Sequence, residues 1–242
     1  MSGLLIGGSV SSISKGTHMS KPLPWSPSSL DDFVSCPYAF YRKKVLKDVT
    51  QRSQEYLDYG NRVHKDFELF LLYGTPLPED VKMHMGVLQK LKSLPGTLHL
   101  EQECAFNTKL EPCGYWDKRG LFARMKIDFK MVHGDKAKII DWKTGKPHQK
   151  MRQVEIYALH TFALHPTVQT VRSGYYWTKT QGVTDAVYTR DQVGELWSHL
   201  TPDLKQYAEA FKTDTWQKRR SGLCKGYCDV TDCEFWSPKR EW

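Results

Sequence analysis

The spacing of apolar residues changes along this chain from a helical period to an alternating one. Between Leu30 and Leu46, apolar side chains recur every three or four residues, which is typical of a helix. Cys36-Pro37 interrupts this run, so we predict either a kinked helix or two shorter helices. The same spacing predicts a second helix over about residues 53–72 and a third over about 79–91.

Alternation of apolar and polar residues begins after these helices. It predicts strands at 97–107, 121–132, 136–143, 168–177 and 183–189. Helical spacing returns in two segments and predicts a helix at 149–164, between the third and fourth strands, and a helix at 190–213, after the fifth. In the second strand the alternation places four apolar side chains on one face: Met125, Ile127, Phe129 and Met131. This order of elements predicts an α/β fold, a mixed sheet flanked by helices.

The turn between the second and third strands fixes which residues face each other. Gly134-Asp135 suits a two-residue type II′ hairpin, in which facing residue numbers sum to 269. Asp128 would then face Asp141, with Cβ atoms about 4.5–5.5 Å apart. Lys143 lies two residues beyond Asp141 and projects from the same face. Two carboxylates this close favour a cation between them, and a divalent metal beside a lysine suits phosphodiester hydrolysis.

The hairpin pattern also has a structural interpretation. Acidic and basic residues often balance each other on solvated sheet faces without any function. The same register sets Lys126 opposite Lys143, an unfavourable pair of like charges. Either the strands splay there, or an anion lies between the lysines, or a bulge shifts the register.

Composition and charge favour a polyanionic partner. The 242 residues carry a formal net charge of +8 and are 40% hydrophobic, enough for a substantial core. Aromatic residues make up 12% of the chain and could stack on unpaired bases. We predict no membrane span, because no apolar run approaches the roughly 20 residues that one requires.

The two ends of the chain differ in character from its middle. Residues 1–19 are rich in glycine and serine, and we expect them to be a vector-derived leader preceding a single domain over 20–242. We see no secretory signal, which favours a reducing, cytoplasmic compartment. Six cysteines there indicate metal ligands or free thiols rather than disulfides. Three of them lie in a Cys-rich tail, residues 221–236.

Five short motifs occur in the order seen in one nuclease superfamily. They are Ser26-x-Ser28-x-Leu30-x-x-Phe33-x-x-Cys36-Pro37-x-x-Phe40, Gly60-x-x-Val63-His64, Ile127-Asp128, Asp141-Trp142-Lys143 and Gln153-x-x-x-Tyr157. Through them, about residues 26–236 resemble the RecB-like branch of the PD-(D/E)XK nuclease superfamily. The resemblance implies a restriction-endonuclease-like core with the order αβββαβ. One departure is Met125, where the family usually has glycine three residues before the motif-II aspartate.

The resemblance implies a metal site. Asp128 and Asp141 would hold one or two Mg²⁺ or Mn²⁺ ions, which are hard cations that prefer oxygen ligands. The backbone carbonyl of Trp142 would be a further ligand, and His64 would be the remaining side chain that binds the metal directly. Glu103, in the preceding strand, could assist through a water.

The resemblance also implies catalytic roles beside that metal. Lys143 would orient the attacking water and stabilise the negative charge that develops at phosphorus. Gln153 and Tyr157, four residues apart and therefore on one helical face, would position the substrate strand.

The cysteines resemble a second site of the same branch. Some RecB-like nucleases ligate a 4Fe–4S cluster with one N-terminal cysteine and a C-terminal C-x2-C-x5-C. Here the total span is the same, but the middle cysteine is displaced by one residue. The implied ligands are Cys36, Cys224, Cys228 and Cys233. Zn²⁺ in place of a cluster, or buried free thiols, are the alternatives.

A site joining the two ends would also gather basic residues into one patch suited to phosphates. These residues are Arg42, Lys43, Lys47, Lys218, Arg219, Arg220, Lys225, Lys239 and Arg240. A solvated charged face is the competing interpretation for any one of them.

The resemblance implies a metal-dependent DNA nuclease. We expect an exonuclease that acts on DNA ends or single strands, similar to stand-alone phage or CRISPR-associated relatives. The alternatives are a structure-specific or nicking endonuclease, an RNA-directed nuclease, and a non-catalytic DNA-binding or recombination subunit. The sequence leaves the cleavage polarity and the oligomeric state open.

Overall fold

The computed structural model describes residues 22–50, 54–117 and 120–238. The expected leader lies outside the described residues, as do Lys239 and Arg240 of the expected basic patch. No helix within the described ranges is long and apolar enough to cross a membrane.

The first helical segment breaks where the sequence predicts. Helix α1 (Pro27–Ser35) begins after Ser26, whose hydroxyl accepts a hydrogen bond from the backbone N–H of Ser29 at 3.1 Å. Cys36 is extended, with φ −161°, because the following proline disfavours a helical conformation at this position. Helix α2 (Pro37–Phe40) then continues into a π-helical turn (Tyr41–Leu46). The prediction of two shorter helices is confirmed.

The remaining helices lie before, within and after the sheet. They are α3 (Gln54–Tyr73), α4 (Met85–Lys92), α5 (Arg152–Leu164) and α6 (Val193–Thr213). Short 3-10 turns precede α4 (Glu79–His84) and α6 (Arg190–Gln192), and another lies in the tail (Gly222–Cys224).

Five strands form one mixed sheet between these helices. They are β1 (Thr97–Asn107), β2 (Leu121–His133), β3 (Lys136–Lys143), β4 (Thr170–Trp177) and β5 (Gly182–Thr189), and they lie in that order. Strands β3 and β4 are parallel, and the other neighbours are antiparallel. One core contains side chains from α1, α5 and α6, and a second core on the opposite face contains side chains from α3 and α4. The predicted α/β fold is confirmed, and β5 is added after the predicted αβββαβ order.

The β2–β3 hairpin has the predicted register but ends early. Gly134 has φ +57° and Asp135 has no positive φ, as a type II′ turn requires. Facing residue numbers sum to 269 from the turn up to the pair Phe129–Ile140, where the ladder stops. Asp128 and Asp141 are therefore not a ladder pair, which corrects the expectation that they face each other directly.

Beyond that last pair the two strands splay, while each keeps its other neighbour in the sheet. Strand β3 continues its parallel pairing with β4 as far as Lys143, while β2 continues along β1. Lys126 and Lys143 consequently lie beside different carboxylates, Glu101 and Asp141, each at 2.6 Å. Of the three ways to relieve the lysine pair, splaying is the one that occurs.

The second strand changes faces near its centre. Met125 and Ile127 pack in the core with α5, whereas Phe129 and Met131 pack in the core with α3. The prediction that all four share one face is therefore wrong. The alternation rule assumes an unbroken pleat, and here Glu101 on the neighbouring strand has a left-handed φ of +48°.

Candidate active site

The candidate site lies in the gap between the splayed ends of β2 and β3. His64 reaches into the gap from α3, on one face of the sheet, and Gln153 and Tyr157 reach in from α5, on the other. The strands themselves contribute Asp128 and Asp141. The site therefore needs both helices and the end of the hairpin ladder.

His64, Glu101 and Asp128 form a carboxylate–histidine cluster. One candidate ligand atom from each lies within 4.8 Å of the other two. His64 Nδ1 is 3.4 Å from Asp128 Oδ1, and His64 Nε2 is 2.9 Å from the carbonyl oxygen of Trp142. The N–H of Trp142 donates to Asp128 Oδ2 at 2.8 Å, so the side chain replaces the missing ladder partner.

The charges within this cluster perturb one another. Burial raises the pKa of Asp128, and the charge of Asp141 raises it further. Burial by itself would lower the pKa of His64, but hydrogen bonding and charge from Asp128, with the charges of Asp141 and Glu101, raise it to about 9. The buried carboxylates thus favour a positive charge in their midst, either a proton on the imidazole or a metal ion in its place.

The second group of polar side chains surrounds Asp141. Gln153 Nε2 donates to Asp141 Oδ1 at 2.8 Å, and the Tyr157 hydroxyl lies 3.1 Å from the same oxygen. Lys143 Nζ lies 2.6 Å from Asp141 Oδ2 and donates to Gln153 Oε1 at 2.9 Å. Burial, then the negative charge of Asp141, holds the pKa of Tyr157 well above its usual value, so the hydroxyl stays protonated.

Two buried carboxylate oxygens show that the site suits a cation. Glu101 Oε1 and Asp141 Oδ2 have no hydrogen-bond donor among the described residues. Asp141 Oδ2 nevertheless lies 2.6 Å from the Lys143 ammonium, whereas the nearest cationic group to Glu101 Oε1 is the His64 imidazole at 4.0 Å. Leaving a buried anionic oxygen without a partner costs about 1–3 kcal/mol or more. A metal ion held by His64, Glu101 and Asp128 would satisfy Glu101 Oε1, and Asp141 lies outside that group of three.

Residues 24–119 match the model of the PD-(D/E)XK nuclease superfamily. The matched stretch covers the helices up to α4 and all of β1, including His64 and Glu101, and it ends before Asp128. The five-stranded sheet with flanking helices is consistent with the restriction-endonuclease-like fold of that superfamily.

Solved structures resemble this fold at low sequence identity. One is a "Putative exonuclease" from Eubacterium rectale, with 11% identity, a TM-score of 0.52, and coverage of 84% of this chain and 86% of that one. Another is SSO0001, with 14% identity, a TM-score of 0.47, and coverage of 90% and 89%. No curated protein matches the chain.

The sequence prediction missed one member of the cluster, Glu101. On this strand it named only Glu103, as a residue that could assist through a water, and Glu103 is exposed. The residue numbers of facing pairs across β1 and β2 sum to 229 on either side of Glu101, and the same register would place Glu101 beside Asp128. A long connection joins β1 and β2, so no tight turn gives this register in the sequence.

The four cysteines with candidate ligand roles meet in one place. Cys36, Cys224, Cys228 and Cys233 line a single cavity of about 100 Å³ between the π-helical turn and the tail. Backbone N–H groups donate to Cys36 Sγ and to Cys224 Sγ, each at 3.5 Å. No three of these sulfurs lie within 4.8 Å of one another.

Ion pairs hold the Cys-rich tail against the first helices. Arg42 pairs with Asp232 at 2.9 Å, and Lys43 pairs with Asp229 at 2.7 Å. The chain ends therefore meet. Three residues of the expected basic patch are paired with acids, since Lys218 also pairs with a glutamate of the tail at 3.0 Å, and the patch itself stays a prediction.

Proposed function

We propose that this protein is a metal-dependent nuclease that hydrolyses phosphodiester bonds of DNA. The observation that carries the proposal is the gap between β2 and β3. It brings ligand atoms of His64, Glu101 and Asp128 within 4.8 Å of one another and leaves the buried Oε1 of Glu101 without a hydrogen-bond donor among the described residues. A divalent cation held there would satisfy that oxygen, and the ammonium of Lys143, paired with Asp141, would attract an anionic phosphate. The match to a nuclease superfamily over residues 24–119 supports this chemistry.

The ligands that we propose come from both sides of the gap. They are His64, Glu101, Asp128, Asp141 and the carbonyl oxygen of Trp142. Four of these five ligands offer oxygen and one offers an imidazole nitrogen, and such a ligand set favours Mg²⁺ or Mn²⁺. When bound, the metal polarises a phosphoryl oxygen and lowers the pKa of a coordinated water.

The residues around Asp141 act on the water and the substrate. Lys143, fixed by contacts with Asp141 and Gln153, stabilises negative charge at phosphorus and orients the attacking water. Gln153 and the protonated hydroxyl of Tyr157 hold Asp141 in one orientation and position the strand beside it.

We further propose that the enzyme is an exonuclease acting on DNA ends or single strands. The five motifs resemble the RecB-like branch. The similar structure from Eubacterium rectale is described as a "Putative exonuclease", which supports the same proposal. The test compares linear DNA with closed circular DNA of the same sequence in Mn²⁺, with Asp141→Ala as the inactive control. We expect loss of the linear form alone. Nicking of circles would indicate an endonuclease, faster loss of RNA would indicate an RNA-directed enzyme, and equal degradation by Asp141→Ala would remove this site from the chemistry.

We propose a 4Fe–4S cluster as the occupant of the cysteine cavity. Four thiols that line one cavity, two of them with backbone N–H donors, support this choice, and the cysteine spacing resembles that of RecB-like nucleases with such a cluster. Unpaired cysteines accord with a cytoplasmic setting, which we also propose. Protein purified without oxygen should be brown and contain iron and sulfide. Colourless protein with one zinc per chain, or with no metal, would overturn the assignment.

A further inference from the structure

The exposed Trp116 and the half-buried Tyr115 form an aromatic pair at the far end of the β1–β2 hairpin. The Trp116 side chain is 72% exposed, and its ring lies 5.0 Å from the ring of Tyr115 in an edge-to-face arrangement. The guanidinium of Arg124 lies 5.6 Å from the centre of each ring. We call these three residues the aromatic platform. An indole this exposed contributes little to the core, so packing does not explain it.

The loop that carries the platform is tied to the sheet. Cys113 N–H donates to the carbonyl of Ala105 at 3.1 Å, and Asn107 N–H donates to the carbonyl of Glu111 at 2.9 Å. The side chain of Asn107 also accepts from the N–H of Lys109 and from that of Glu111. The base of this loop is therefore held to the sheet.

The platform and the candidate metal site share one strand and one face. Met125 and Ile127 turn toward the core with α5, so the residues that alternate with them project from the opposite face. Arg124 and Lys126 lie on that face, and it is the face from which His64 contacts Asp128. Lys126 is exposed and lies between the platform and the site.

The separation suits a nucleic-acid strand. Four residues of β2 separate Arg124 from Asp128, a distance of about 13 Å at roughly 3.3 Å per residue. A stacked strand advances about 3.4 Å per nucleotide, so it would span this distance in about four nucleotides. Base edges and faces are accessible to an aromatic side chain only where the strand is unpaired.

We propose that the aromatic platform stacks an unpaired base of the substrate, about four nucleotides from the scissile phosphate. Trp116 supplies the stacking surface, and Arg124 fixes the ring and contacts the backbone. The preferred substrate is then a single-stranded end or overhang rather than a blunt duplex. This inference rests on the proposed nuclease function.

Binding measurements test the platform without requiring turnover. In an Asp141→Ala background, Trp116→Ala should weaken the Kd for a fluorescein-labelled single-stranded oligonucleotide by about five- to hundred-fold. Trp116→Phe should restore most of the affinity, because a phenyl ring still stacks. The matched control is Tyr73→Ala, which removes an aromatic side chain that is 75% exposed on α3. An unchanged Kd for Trp116→Ala, or an equal loss with a blunt duplex, would overturn the inference.

A substrate lacking one base tests the position. In the active enzyme, an abasic residue about four nucleotides from the cleavage point should lower kcat/KM as much as Trp116→Ala does. Combining the two changes should cause no further loss, since both remove the same contact. Additive losses would contradict the assignment. If the wild-type enzyme cleaves no DNA, the proposed function fails; if it cleaves and Trp116→Ala behaves as wild type, only the platform fails.

Discussion

Glu101 is the residue on which the candidate metal site depends and which the sequence does not reveal. It lies in a left-handed conformation that a non-glycine residue adopts at a cost of about 1–3 kcal/mol. That conformation turns its carboxylate toward His64 and Asp128, where one oxygen lacks a donor. Backbone strain that directs a carboxylate into a charged cluster is typical of a functional site.

A metal titration tests the role of Glu101. Glu101→Gln removes one anionic ligand, and we expect the affinity for Mn²⁺ to fall by about ten- to hundred-fold, as when a supporting ligand is lost. Isothermal titration calorimetry without DNA measures this directly. The matched control is Glu103→Gln on the same strand, which should leave the affinity unchanged because its side chain is exposed. If Glu103→Gln weakened Mn²⁺ binding and Glu101→Gln did not, Glu103 and not Glu101 would be the residue that supports the metal.

The sequence does predict the residues around Asp141, because their positions relative to one another follow from local spacing. Gln153 and Tyr157 are four apart on one helix, and Lys143 is two residues from Asp141 on one strand, so the sequence alone indicates shared faces. All three side chains lie within hydrogen-bond or ion-pair distance of the Asp141 carboxylate. The position of Glu101 instead depends on a register that only the folded sheet defines.

Lys130 shows a second consequence of the change of faces in β2. It is completely buried, and its neighbours are basic or neutral: His99, His160, His165 and the thiol of Cys104. Burial, followed by the charge of Lys130, lowers the pKa of His160 to about 4. Each imidazole is therefore favoured as the neutral form.

This cluster predicts a loss of stability in mild acid. A histidine with a folded pKa of about 4 and an unfolded pKa of about 6.5 binds protons preferentially in the unfolded state. The free energy of unfolding should fall as the pH drops from about 6.5 toward 4, by on the order of 3 kcal/mol from His160 alone. Urea denaturation across that range measures it. His160→Gln should flatten the decline, whereas the exposed His133→Gln should not; equal slopes would contradict the prediction.

At the scale of elements, the turn and the alternation predict the hairpin correctly up to its splayed end. Gly134-Asp135 sets the register, since one conformation of that pair satisfies a two-residue turn. The parallel pairing of β3 with β4, which holds β3 in the sheet beyond the point where β2 and β3 part, is not local information. Helix α5 lies between β3 and β4 in the sequence.

The inner strand β4 must therefore be intact for the gap to form, and Gly174 is its most sensitive position. A Cβ added there would lie 2.5 Å from the carbonyl oxygen of Thr184 and 2.6 Å from the Cα of Asp185. Gly174→Ala should lower the free energy of unfolding by about 1–3 kcal/mol, measured by urea denaturation. Gly194→Ala is the control, because nothing lies within 4 Å of its Cβ in the first turn of α6. Equal effects of the two would show that β4 and β5 can separate at no cost.

At the scale of the whole molecule, the tail closes the chain onto its first helices. The contacts that hold it include the ion pairs Arg42–Asp232 and Lys43–Asp229, the buried side chain of Val230, and the cavity lined by cysteines. Partly exposed ion pairs typically contribute only about 0–1 kcal/mol each. The metal group that we propose for the cavity would add far more, because its binding free energy is also folding free energy.

Loss of one cysteine ligand should therefore loosen both ends of the chain together. In Cys228→Ser purified without oxygen, we expect a lower Tm and faster amide hydrogen exchange in α1, in the π-helical turn and in the tail, while β2 and β3 keep their protection. The control is Cys113→Ser, a thiol outside the cavity. If exchange rises in the tail alone, the first helices are held by their packing against α6, and the cysteines do not join the two ends. If Cys113→Ser has the same effect as Cys228→Ser, the stabilisation comes from thiols in general and not from a group bound at this cavity.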